Sequence, residues 1–145
     1  MVTKFSEVYE RAIFKFRDYG FIEMISDFKD AILKNYLLSA IVDSKYAVTE
    51  VDLEDFNLQE EQFNNQLSNE VIEILAMGIL YYWLSAKTFD SKLLRNKIHR
   101  SDYTAYSPAN LLDKIKDLRD TLYGEYMGRI NTYSFRHGGI ETLKT

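Results

Sequence analysis

Ser68-Asn69-Glu70-Val71-Ile72-Glu73-Ile74-Leu75-Ala76-Met77-Gly78-Ile79-Leu80-Tyr81-Tyr82-Trp83-Leu84-Ser85-Ala86 is the stretch on which the fold turns. Its apolar residues, Val71, Ile72, Ile74, Leu75, Met77, Ile79, Leu80, Trp83 and Leu84, cover most of a helix circumference instead of one stripe. A helix apolar on nearly all sides is one surrounded by others. Ser68 is placed to cap it, and Glu70 falls in the first turn, where the helix dipole favours a carboxylate. The most apolar run, Val71 to Leu84, is interrupted by Glu73 and is shorter than the roughly 18 to 20 residues needed to cross a bilayer. The expectation is a buried central helix from Leu67-Ser68 to about Ala86.

Working outward, other helices suit that centre. Phe5, Val8, Tyr9, Ala12, Ile13 and Phe16 recur at three- and four-residue spacing, which predicts a helix from about Thr3 to Tyr19, stopped by Gly20. A second helix, about Asp27 to Asp43, has Ser26 as its cap and Ala31, Ile32, Leu33, Tyr36, Leu37, Ala40 and Ile41 on its apolar face. Tyr46 to Leu67 loses the period and reads as a long acidic loop with a helical turn near Gln59 to Asn64, pinned by Phe56 and Phe63. Loops of this length are where function or assembly tends to lie. A short helix from Asp90 to about Lys97 and an irregular stretch, Ile98 to Tyr106, follow the central helix.

The last helix opens on Ser107-Pro108, an N-cap followed by proline at the first helical position. Leu111, Leu112, Ile115, Leu118, Leu122, Tyr126, Ile130 and Tyr133 then form one stripe that ends before Gly138-Gly139. About 26 helical residues would be roughly 39 Å long, against roughly 30 Å for a compact globule of this size, so the helix is expected to protrude. The fold class expected is all-α: a small bundle of four to five helices in a single domain over residues 1–145. Residues 46–67 form its acidic loop, and 107–137 its long C-terminal helix and tail.

Composition narrows the chemistry. With 145 residues, 46% hydrophobic and 28% charged, the chain is an ordinary globular domain able to bury a core without a metal or disulfide. It has no cysteine, which removes thiol catalysis, disulfides and cysteine-ligated zinc. Its histidines are His99 and His137 alone. The start, Met1-Val2-Thr3-Lys4-Phe5-Ser6-Glu7, carries charge where a signal peptide needs an apolar stretch.

Net charge is −4, but it is divided along the chain. Residues 1–45 hold seven basic and seven acidic side chains. Residues 46–86 have no Lys or Arg and carry Glu50, Asp52, Glu54, Asp55, Glu60, Glu61, Glu70 and Glu73, while residues 87–145 hold eleven basic against seven acidic side chains. The balance argues against general nucleic-acid binding, which needs a basic face for phosphates. It suits a subunit contact in which one region meets a different region of the next copy. On that reading Glu54, Asp55, Glu60 and Glu61 face Lys114, Lys116, Arg119, Arg129 and Arg136 of a neighbour; otherwise the acidic stretch is a solvated loop.

Catalytic motifs are absent from the sequence. The glycines, Gly20, Gly78, Gly124, Gly128, Gly138 and Gly139, fit no phosphate loop. Asp52-x-Glu54 lacks the mid-loop glycine of a calcium site, and no nucleophile elbow marks a serine for a hydrolytic triad. Arg129, Arg136 and His137 sit at the end of the long helix, where cations complement exposed carbonyls, or they meet a partner's carboxylates. Gly124 and Gly128 share one face and admit a close helix, or else loosen the C-terminus. Tyr123, Tyr126 and Tyr133 are expected to be partly exposed, because tyrosine suits places packed at one end and wet at the other.

Three blocks carry a resemblance: Leu67-Ser68-Asn69-Glu70-Val71-Ile72-Glu73-Ile74-Leu75-Ala76 leading to Trp83-Leu84, Tyr106-Ser107-Pro108-Ala109-Asn110-Leu111-Leu112, and Arg129-Ile130-Asn131-Thr132-Tyr133-Ser134-Phe135-Arg136-His137-Gly138. Together they resemble the helical head-to-tail connector, or adaptor, proteins in the neck of tailed bacteriophages. The likeness spans roughly residues 67–138; the acidic insertion Tyr46 to Gln66 has no place in it. It implies a non-enzymatic virion subunit without cofactor, metal or small-molecule substrate. Such a subunit assembles in the host cytoplasm and repeats in a ring of about a dozen copies. The ring docks on the portal above and the next neck or tail protein below, with DNA only as passing cargo and no membrane contact. The contact residues it suggests are Glu54, Asp55, Glu60, Glu61, Lys116, Arg119, Arg129, Tyr133, Arg136 and His137. Composition alone equally fits a small cytosolic helical module that binds one partner protein.

Overall fold

A computed structural model describes residues 2–18, 30–88 and 108–139. The described residues are all-α apart from one small hairpin: α1 (Phe5–Asp18), α2 (Asp30–Ser44), β1 (Phe56–Asn57), β2 (Gln62–Phe63), α3 (Asn69–Thr88), α4 (Pro108–Ser134), then a π-helical turn (Phe135–Gly139). The expected cap Ser26, the stop Gly20, the short helix 90–97 and the cap Ser107 lie outside the described residues.

α3 is the centre, as its all-round apolarity requires. Ser68 Oγ accepts the Val71 N–H at 3.3 Å, so the helix starts where its cap predicts. α1, α2 and α4 all pack on it, and Trp83 is 1% exposed. α1 runs along α3 in the same direction: Arg11 meets Glu73 and Phe16 meets Trp83 edge-on at 4.6 Å between ring centres. α4 runs the other way, with Arg119 at Thr88, Tyr123 at Tyr81, Tyr126 at Gly78 and Arg136 at Glu70.

α3 is 20 residues long with a mean hydropathy of 1.2 over its most apolar window, enough on those measures to cross a membrane. The sequence-based shortfall in length therefore does not decide its role. Burial does, since 61% of that window is covered by the rest of the fold.

α4 differs from expectation in one respect. Its stripe is covered from Ile115 through Leu122, Tyr126 and Ile130 to Tyr133, so this part of the helix lies against α3 instead of protruding.

The acidic loop holds a hairpin where a helical turn is expected. Phe56 pairs with Phe63 and Asn57 with Gln62 in antiparallel register. Asn57 Oδ1 accepts the N–H groups of Gln59 at 2.9 Å and Glu60 at 3.0 Å, and Glu61 takes a positive φ of 52° to complete the reversal. The N-terminus extends the pairing: Phe63 N–H donates to the Thr3 carbonyl at 2.8 Å and Phe5 N–H to the Glu61 carbonyl at 2.9 Å. Phe56 and Phe63 pin the loop as expected, each edge-on to Phe5 at 5.9 and 5.0 Å. Buried Thr3 fixes the far end, its Oγ1 accepting the Leu67 N–H at 2.8 Å.

Candidate interaction surface

Where α2, α3 and α4 meet, five tyrosines are joined by ring contacts, and two of them bond one carboxylate. Tyr36 comes from α2, Tyr81 and Tyr82 from α3, Tyr123 and Tyr126 from α4. Tyr36 and Tyr82 are nearly parallel, 6.5 Å apart at 16°. Tyr81 contacts Tyr82 at 5.1 Å, Tyr123 at 5.0 Å and Tyr126 at 6.2 Å between ring centres. The aromatic contacts thus run continuously across three helices. Tyr36, Tyr81 and Tyr82 are half-buried, and Tyr123 is 46% exposed.

Asp43, at the end of α2, ties the inner side of this ladder together. Its Oδ2 accepts the phenol hydroxyls of Tyr82 at 2.5 Å and Tyr126 at 3.0 Å. Burial pushes both phenols up from the ordinary tyrosine range, and the Asp43 carboxylate pushes them further. Burial likewise raises Tyr36. These hydroxyls are therefore hydrogen-bond donors at neutral pH and are not poised as bases or nucleophiles.

Gly78 allows the close approach. A Cβ there would stand 2.6 Å from Ala40 Cβ and 2.7 Å from the Tyr126 phenol oxygen. Tyr126, fully buried, and Tyr133, 2% exposed, are thus packed, against the expectation of partial exposure, which holds for Tyr123 alone. The Tyr126 hydroxyl reaches Asp43 inside the fold, and the Tyr133 ring stacks on the His137 ring at 4.0 Å between centres. Gly124 and Gly128 have nothing within 4 Å of a built Cβ, so among the described residues no helix approaches them closely.

Most of the charged residues singled out from the sequence have partners within the same chain. Glu61 bonds Lys34 at 2.9 Å and Glu54 meets Lys45 at 3.4 Å, so in this chain their cations come from the N-terminal third. Asp55 accepts the Asn64 amide at 2.7 Å, and Glu60 is exposed on the hairpin turn. On α4, Lys116 and Arg129 are exposed, while Arg119 pairs with Asp120 at 2.9 Å and donates to Thr88 Oγ1 at 3.2 Å. The π-helical turn brings Arg136 into an ion pair with Glu70 and His137 Nε2 to 3.8 Å from the same carboxylate. These two side chains therefore clasp the start of α3 instead of capping the carbonyls of their own helix.

Sequence reasoning does not single out Asp43 or Gly78. Glycine inside an otherwise apolar helix is the signal that marks Gly78, since it costs helix stability unless a close contact needs it. A cleft of about 310 Å³ between α1 and the start of α3, lined by Glu7, Glu10, Arg11, Phe14, Asn69 and Ile72, is a second surface feature. Its Arg11 is already engaged by Glu73 at 2.9 Å. Among the described residues no cluster of His, Asp or Glu is placed to hold a metal ion. Comparison of the chain with protein-family models, curated proteins and solved structures returns no match.

Proposed function

We propose that the protein is a structural subunit of the bacteriophage head-to-tail connector, working in the virion neck through protein contacts and not through catalysis. The observation that carries this reading is the tyrosine ladder across α2, α3 and α4. Half-exposed tyrosines on rigid helices offer large contact area at low entropic cost and are enriched where interfaces concentrate their binding energy. Most of the ladder lies within the part of the sequence that resembles the connector proteins. On this reading copies assemble as a ring between the portal and the next neck or tail protein, in the host cytoplasm and then in the virion.

The in-chain pairs Lys34–Glu61, Lys45–Glu54 and Arg136–Glu70 favour ring closure by aromatic and apolar contacts over closure by charge. They also favour a second reading, a cytosolic interaction module that binds one partner without forming a ring. Mass photometry of the chain mixed with the portal protein encoded by the same genome separates the two. A discrete complex with several copies per portal supports the connector. Absence of any portal complex overturns it and leaves the single-partner module.

A further inference from the structure

The carboxylate beneath the tyrosine ladder has an unusual electrostatic position. Asp43 is half-buried and holds two phenol hydroxyls on one oxygen, yet among the described residues no Lys, Arg or His pairs with it. Several other carboxylates and rings have a cation of the same chain beside them: Arg11 and Lys15 at Glu73, Lys34 at Glu61, Lys45 over Tyr46 at 5.1 Å and Lys87 over Trp83 at 5.0 Å. At Asp43 the described residues supply none. What faces this carboxylate instead is aromatic: Tyr82 and Tyr126, with Tyr36, Tyr81 and Tyr123 continuing the surface outward.

Aromatic faces and a carboxylate both attract cations, through the ring quadrupole and through charge. A planar guanidinium suits this combination better than an ammonium, because it stacks on a ring while its fork of N–H groups reaches an acceptor. We infer that the Tyr36–Tyr81–Tyr82–Tyr123 surface with Asp43 is a binding site for an arginine side chain presented by a partner protein. The guanidinium lies against the tyrosine rings, and the Asp43 carboxylate supplies the countercharge. The two phenol hydroxyls, held as donors to Oδ2, keep that carboxylate in one orientation, and Gly78 lets Tyr126 come close enough to do so.

The site is a property of the folded chain and does not depend on its being a neck protein, so it is tested without a portal. The full chain, labelled at its tyrosine rings, is titrated with Nα-acetyl-arginine methylamide and, separately, with the uncharged citrulline analogue while ring NMR signals are followed. The expected result is a saturable shift of Tyr36, Tyr81, Tyr82 and Tyr123 with the arginine compound and none with citrulline. Asp43→Asn keeps an acceptor for the phenols and removes the charge, and it should weaken binding by at least about fivefold. Tyr123→Ala, at an exposed ring, should weaken it by a similar factor while melting as the parent does, so it serves as the test if Asp43→Asn fails to fold. Phe135→Ala, on the exposed π-helical turn, should leave binding unchanged. Equal shifts with citrulline, no saturation, or undiminished binding in folded Asp43→Asn or Tyr123→Ala would overturn the assignment.

Discussion

Gly78 and Tyr126 meet so closely that a methyl group on Gly78 would lie 2.7 Å from the phenol oxygen of Tyr126. The same point touches Ala40, so α2, α3 and α4 converge there, and the hydroxyl continues to Asp43 at 3.0 Å.

This contact makes the helical glycines behave oppositely. Gly78→Ala gains helix propensity but must displace Ala40, whose Cβ is fixed to its backbone at 2.6 Å from the new methyl. Overpacking of this kind should cost about 1 to 3 kcal/mol. Gly124→Ala and Gly128→Ala meet nothing within 4 Å, and each should raise stability by up to about 1 kcal/mol. Urea denaturation of the three variants gives the comparison. Stabilisation by Gly78→Ala would mean that the three helices do not converge as described.

Trp83 lies at 1% exposure against Phe16, inside the ring of helices around α3. Trp83→Ala should therefore cost about 3 to 5 kcal/mol. As the chain's one tryptophan, it should emit at a blue-shifted maximum that moves red on unfolding. Emission already at the solvent-exposed wavelength in the native state would contradict its burial.

Glu73 brings a pH dependence. Burial alone would raise its carboxyl, but the hydrogen bonds and positive charges of Lys15 and Arg11 more than offset this and hold it below its ordinary value. A carboxyl depressed in the folded state contributes stability above its unfolded pKa of about 4.3 and loses it as pH falls through the lower folded value. The melting temperature should therefore fall on acidification below about pH 4.3, and the fall should be shallower in Glu73→Gln. Identical pH profiles for the two proteins would remove Glu73 from the acid response.

Thr3 anchors the acidic hairpin segment from the other end of the chain. Thr3→Val keeps the shape but leaves the buried Leu67 N–H without its 2.8 Å acceptor, at a cost of about 1 to 3 kcal/mol. Thr3→Ser retains the oxygen and should lose less. Chemical denaturation of the pair separates the hydrogen bond from packing.

The elements that were legible in the sequence are those with a strong local code. α3 is apolar all round and capped by Ser68, and α4 carries one long stripe that Tyr126 and Tyr133 continue. The hairpin was not legible, because its strands are two residues each and its reversal uses Glu61 at positive φ, with no glycine to mark the turn. Its pairing to Thr3 and Phe5 is a long-range contact without a local period. The tyrosine surface was half legible: Tyr123 is wet, as tyrosine chemistry suggests. Burial of Tyr126 depends on an acceptor, Asp43, that lies 83 residues away in the chain. The charge division along the sequence conceals local neutralisation, since Glu54, Glu61 and Glu70 find cations within the same fold.

The proposed role as a neck subunit can be checked in the composition of virions. If the proposed connector role holds, quantitative mass spectrometry of purified virions produced from the genome that encodes the chain should find it in a constant ratio to the portal subunits, retained through density-gradient and salt washes. Its absence from complete, infectious particles, with the chain recovered only in the lysate, would contradict the account.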